Sequence, residues 1–314
     1  MDKPLPETVP LWLLCVTALA AWLCVAVWLG AFARWRQGKT VLPYQPRTPV
    51  PWRAVDLLIV LLIYAVAIMA AGLLAVALLS DADLQRPPAI QDAGQANTAH
   101  VVARLLAEGT FGVLLVCGLS AVVVAPIFEE FFFRVLLQGW LEAGQRRLRP
   151  AMPTLRRLLP GASGPILLSS FLFARVHFRV DTPAMSTEYL IVVVAGNAVA
   201  SVLAMLLIIY FLRARAGAKA VDFGWAPEKF FADVRLGLTT FAAVAAPIYG
   251  AQITLVWLLP KYLAPDPFVL FPFAIILGTL YWRTHRIVPA IVLHMSLNAA
   301  SLAMAIAWLL LQKP

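Results

Sequence analysis

The chain has 314 residues, 62% of them hydrophobic and only 13% charged, with a net charge of +9. A soluble domain carries roughly 25% charged residues, so this composition excludes an ordinary soluble protein and points to a polytopic membrane protein. Nucleic acid is not an expected partner, because the basic residues lie in short stretches between apolar runs, the pattern of loops facing anionic lipid.

A helix needs about 20 apolar residues to cross the hydrocarbon core. That ruler predicts an all-α, polytopic transmembrane helical bundle of about eight spans: 10–33, 54–79, 110–141, 163–179, 188–212, 236–259, 267–282 and 287–311. The first run is too long for the core of a signal peptide and lacks a basic start, so it reads as a helix of the mature protein. Cys15, Cys24 and Cys117 all fall within spans, with no spacing that suggests a disulfide framework, a metal site or a thiol active site.

The connections alternate in charge. Segment 34–53 carries Arg34, Arg36, Lys39, Arg47 and Arg53 without an acid, and 142–159 carries Arg146, Arg147, Arg149, Arg156 and Arg157 against Glu142. Segment 213–235 is also net basic, and the turn 283–286 adds Arg283 and Arg286. Between them lie acidic or near-neutral connections: 80–100, with Asp81, Asp83 and Asp92, then 180–187 and 260–266. Basic loops at every second connection predict a multi-pass membrane protein with both termini non-cytoplasmic, and the Ala/Val/Leu/Arg-rich composition is compatible with a bacterial plasma membrane. The segment 146–161, which mixes Leu with Arg, reads as a piece lying along the cytoplasmic interface or as a solvated basic loop.

The third span holds the residues that raise the question of function. Within Ile127 to Trp140, read as IFEEFFFRVLLQGW, stand Glu129, Glu130 and Arg134. A charge at bilayer depth costs roughly 2.5–3.5 kcal/mol on insertion scales, so such groups persist where they have a task. Glu130 and Arg134 are four apart, acid before base, the favourable order for an intrahelical ion pair. Glu129 is turned by about 100° from Glu130 and has no basic residue three or four positions away. Spacing thus predicts a paired, structural Glu130 and a Glu129 free to face a cavity. A free carboxylate in apolar surroundings suits a general base or acid. The bland alternative is that both glutamates only hold helices together.

Two further pairs stand four apart on later spans. Phe173 and His177 share a face in SSFLFARVHF, where a lone His is more often packed or interfacial than catalytic. His294 and Asn298 share a face in RTHRIVPAIVLHMSLNAAS, and together offer donors for a developing negative charge or simply an interhelical hydrogen bond.

In that order and on separate spans, Glu129-Glu130-x-x-x-Arg134, Phe173-x-x-x-His177 and His294-x-x-x-Asn298 resemble the CPBP family of intramembrane proteases. This family includes the CAAX prenyl endopeptidases and the bacterial Abi proteins tied to bacteriocin processing and self-immunity. The resemblance covers roughly residues 115–302, including the approach GTLYWRTHRIVPAIVLH. It implies a protease core over 101–314 behind a two-span extension, 1–100. It also implies a glutamate-type endopeptidase acting on a membrane-associated peptide or protein. Glu129 with His177 would activate a water, His294 and Asn298 would donate to the oxyanion, and Glu130, Arg134 and Phe173 would support the site. No cofactor or metal is implied. Arg175 departs from the family pattern, which has a small or apolar residue there; at about 200° from His177 it should point elsewhere.

Two other readings use the same residues. Glu129, His177 and His294 would make a His₂Glu zinc site with an open position, although no HExxH is present. A non-catalytic immunity or scaffold protein would use them for packing, and a transporter for a proton relay, but the broken spans and repeated half of a transporter are missing.

Overall fold

The computed structural model describes residues 11–46, 49–79, 110–148, 150, 160–177, 187–258 and 266–312. Among them the chain is helical, with no strand. In chain order the helices are α1 (Leu11–Arg36), α2 (Ala54–Leu78), α3 (Phe111–Leu148), α4 (Ser163–Val176), α5 (Thr187–Ala216), α6 (Phe230–Leu258), α7 (Asp266–Thr284) and α8 (Val288–Gln312). Seven are long and apolar enough to cross a membrane; α4 is the exception. The acidic connection 80–100, the bulk of the Arg-rich stretch 149–159, and the stretches 178–186 and 259–265 lie outside the described residues.

The shortness of α4 corrects the expected span 163–179. The helix has 14 residues and so rises about 21 Å, well under the thickness of the hydrocarbon core. Its end has a local cause. His177 Nδ1 takes the Phe173 carbonyl at 2.7 Å, and the His177 N–H turns back to Ala174 O. A side chain bonded to a last-turn carbonyl satisfies an orphan acceptor and leaves the helix nothing to propagate into. α4 therefore ends at Val176 with His177 as its cap, and Arg175 is exposed.

The helices pack as α2 on α5, α6 on α8, α4 on α7 and α1 on α6. At the α6–α8 crossing a Cβ on Gly237 would stand 2.7 Å from Val292 Cβ and 2.8 Å from Pro289 O, so only glycine lets the backbones approach this closely. Leu, Val, Trp and Phe side chains of α1 and α2 remain exposed, as lipid-facing surfaces do.

The basic connections gather at one end of the bundle. Gln45 N–H donates to Arg283 O at 2.8 Å, and Arg283 Nη2 donates to Leu42 O at 3.0 Å. Arg286 pairs with the buried Asp233 at 2.8 Å, and Ile287 N–H donates to Gly224 O at 3.1 Å. Segments 37–46, 220–233 and 283–287 thus form one layer, which Trp52 also closes by donating to Leu136 O at 3.2 Å.

Helix α3 is the element that positions the site, and it is not a uniform α-helix. Two wide turns, Leu119–Val124 and Phe131–Gln138, flank a short α-helical piece, Ala125–Glu130. In the first, the Ala125 N–H reaches Ser120 O, five residues back; in the second, the Gly139 N–H reaches Arg134 O. Such π-helical turns are rare and concentrate at functional sites.

Candidate active site

Three helices bring their polar residues to one place. α3 supplies Glu129 and Glu130, the end of α4 supplies His177, and α8 supplies His294. Glu129 Oε2 lies 3.5 Å from His177 Nε2 and 3.8 Å from His294 Nε2. Both separations exceed a good direct hydrogen bond. The rings are held from behind. His177 is fixed through Nδ1 on the Phe173 carbonyl, and its ring lies 4.6 Å from that of Phe173. His294 Nδ1 meets Glu130 Oε1 at 3.0 Å, with its ring between the edges of Phe173 and Phe273 at 5.7 and 5.5 Å.

The two adjacent glutamates occupy different environments. Glu130 has no exposed surface and is bonded at 3.2 Å to Arg134 Nε, itself fully buried, and at 3.0 Å to His294. Glu129 keeps 22% of its side chain exposed, and His177 keeps 30%. One carboxylate is saturated with partners, while its neighbour turns Oε2, a buried oxygen without a hydrogen-bond partner, towards two imidazoles. Phe173 sits fully buried under both histidines, 5.4 Å from the Arg134 guanidinium. Asn298 is engaged elsewhere: its Nδ2 donates to Ala121 O of α3 at 2.8 Å.

Sequence reasoning missed the rest of the α3 stripe. Arg134 Nη1 donates to Ser169 Oγ at 3.3 Å, and Gln138 Nε2 donates both to Glu142 Oε1 at 3.1 Å and to Gly278 O at 2.9 Å. Glu142 Oε2 then meets His285 Nε2 at 3.3 Å, and His285 Nδ1 meets Gln45 O at 2.6 Å. Glu130, Arg134, Gln138 and Glu142 recur every four residues. An α-helix would rotate such a series around its axis, but a wider turn rotates less per residue and keeps it on one face. The four-residue recurrence is the signal in the sequence that could have found them. Among the described residues no group of three or more His, Cys, Asp or Glu side chains is arranged to hold a metal ion.

Residues 111–221 and 225–300 match the family model described as type II CAAX prenyl endopeptidase, Rce1-like. The chain belongs to the Rce1-like family. The match covers more than half of the sequence and includes Glu129, Glu130, Arg134, Phe173, His177, His294 and Asn298, while α1 and α2 lie outside it. No curated protein and no solved structure matches the chain. Membership makes this Rce1-like protein, at the level of the family, a multi-pass intramembrane endopeptidase of the CAAX type, with the bilayer and a peptide or protein substrate as its surroundings.

Proposed function

We propose that the chain is a glutamate-type intramembrane endopeptidase that cleaves a membrane-associated peptide or protein. Its catalytic core begins at α3, and α1 and α2 form a separate two-span extension. The observation that carries this reading is the approach of Glu129 Oε2 to the Nε2 atoms of His177 and His294, at 3.5 and 3.8 Å. Glu129 takes a proton from a water bridging it to His177, and the water oxygen attacks the scissile carbonyl. His177, with Nδ1–H committed to a backbone carbonyl, presents Nε2 to that water and fixes its direction. The carbonyl oxygen turns negative opposite His294 Nε2, which donates when the ring is protonated, with Glu130 as counter-charge behind it. The amide C–N bond then breaks, and the proton held by Glu129 passes to the leaving nitrogen. Glu130 and Arg134 hold the helix so that Glu129 can do this work.

The basic connections, gathered at one end of the bundle, support a cytoplasmic assignment for that end in a cell membrane. The family description names prenyl endopeptidases, so a prenylated peptide is the first substrate to try. The test compares cleavage of a farnesylated CAAX-type peptide by the wild type, Glu129→Gln and His294→Ala in proteoliposomes, with an unprenylated copy alongside. The expected loss is about 10²–10⁴-fold for Glu129→Gln, the range that a general acid–base contributes. Full activity in both variants would sink the mechanism. Cleavage of the unprenylated copy at the same rate would remove the prenyl requirement. We propose metal-independent chemistry; activity lost to a chelator and restored by zinc would overturn that part.

A further inference from the structure

Pro126 lies three residues before Glu129, inside α3. Proline has no N–H, so the backbone carbonyl it would have bonded is left without that donor. In the wide turn Leu119–Val124 the Ala125 N–H reaches five residues back, to Ser120 O. The next donor in that register would be residue 126, and its acceptor would be Ala121 O. Residue 125, the other backbone donor within reach of Ala121 O, is already committed. An unsatisfied carbonyl at this depth is costly, because no lipid group can replace the missing bond. Asn298 Nδ2 fills the place at 2.8 Å.

This bond belongs to a matched set. His294 and Asn298 stand one turn apart on the same face of α8. His294 binds Glu130 at 3.0 Å, just beyond the Pro126–Glu129 piece, and Asn298 binds Ala121 at 2.8 Å, just before it. The two bonds pin α3 to α8 on both sides of Glu129. A wide turn adds a residue's worth of rotation to everything that follows it, so its persistence sets the direction in which Glu129 points.

We infer that Asn298 is a positioning residue: its amide replaces the backbone N–H that Pro126 lacks, and so holds the wide turn that aims Glu129 at His177 and His294. The inference rests on the glutamate reading above and gives Asn298 a task distinct from donating to the oxyanion.

The two tasks separate in a rescue experiment. Residue 126 as alanine regains an N–H, which can take the Ala121 carbonyl as the Ala125 N–H takes that of Ser120. Peptide cleavage and thermal melting are measured in lipid for Asn298→Ala, Pro126→Ala and the double variant. Asn298→Ala is expected to lower kcat by about 10²-fold with little change in KM, as a small misplacement of a reacting group does. Adding Pro126→Ala is expected to restore most of the lost rate, and Pro126→Ala alone to keep the wild-type rate. Failure of Pro126→Ala to rescue would overturn the inference, since an oxyanion donor cannot be replaced by an N–H on α3. Wild-type turnover in Asn298→Ala, or an inactive Pro126→Ala single variant, would also overturn it. Should Asn298→Ala not accumulate, Asn298→Leu, an apolar side chain of similar size, is used. Recovery of folded, active protein in its Pro126→Ala background supports the inference, and continued failure to accumulate there overturns it. Glu129→Gln is assayed in parallel: if it cleaves normally the glutamate reading fails, whereas an inactive Glu129→Gln with no rescue sinks the positioning role alone.

Discussion

Pro126 in α3 and Pro247 in α6 both lie within membrane-spanning helices, and comparing them shows how one kind of backbone defect serves two ends. In α3, Pro126 leaves Ala121 O without its backbone donor, and a single amide from α8 takes it. In α6, Pro247 leaves Ala243 O without the donor four residues on, and two groups from α1 take it: Trp28 Nε1 at 3.0 Å and Cys24 Sγ at 3.2 Å. The physics is the same, a proline exposing an acceptor that another helix must satisfy. The consequences differ with position. The α3 break lies beside Glu129, in a helix already widened by π turns, within the region matched by the family model. The α6 break fastens α1, a helix outside that region that keeps many large apolar side chains exposed. On the proposed reading, the first defect aims a reacting group and the second docks an accessory span.

If the comparison holds, losing the α8 amide at the α3 break removes activity, and changes around the α6 break remove only stability. The largest effect on the folded state is expected from Arg134→Met. It strips the fully buried Glu130 of its cation, and breaking a buried pair costs roughly 3–5 kcal/mol. Thermal melting in detergent checks this, and a melting point equal to the wild type would show that His294 alone neutralises Glu130. Next comes the double variant Cys24→Ala/Trp28→Phe, which removes both donors to Ala243 O. It should destabilise the protein by about 1–3 kcal/mol, the cost of an unsatisfied buried acceptor, while leaving peptide cleavage near the wild-type rate. Adding Pro247→Ala should return the lost stability, and a large loss of cleavage would make α1 part of the catalytic unit. Smallest is Trp28→Phe alone, about 0.5–1.5 kcal/mol, because Cys24 still faces the carbonyl.

Much of this is legible in the amino-acid sequence. The helical class follows from composition, and the division between the glutamates follows from the four-residue spacing of Glu130 and Arg134, which the 3.2 Å ion pair realises. What spacing does not carry is contact between helices, since register and rotation are set by packing. The spacing satisfies Glu130 with Arg134 alone, yet Glu130 also holds His294. Pro126 and Asn298 are both visible, but nothing in the sequence joins two residues so far apart until α3 and α8 lie side by side. The expected span 163–179 fails for a local reason: hydropathy does not register that a histidine ring can take the last-turn carbonyl and end the helix. The continuation of the stripe to Gln138 and Glu142 is hidden because a uniform α-helix would turn those residues away.

The central claim is that adjacent glutamates have different tasks, Glu129 reacting and Glu130 bracing. The most direct measurement takes Glu129→Gln and Glu130→Gln side by side in lipid and records peptide turnover and thermal melting for each. Glu129→Gln is expected to melt like the wild type and lose turnover, while Glu130→Gln melts several degrees lower because Arg134 loses its counter-charge. A Glu129→Gln protein that cleaves at the wild-type rate would contradict the central claim.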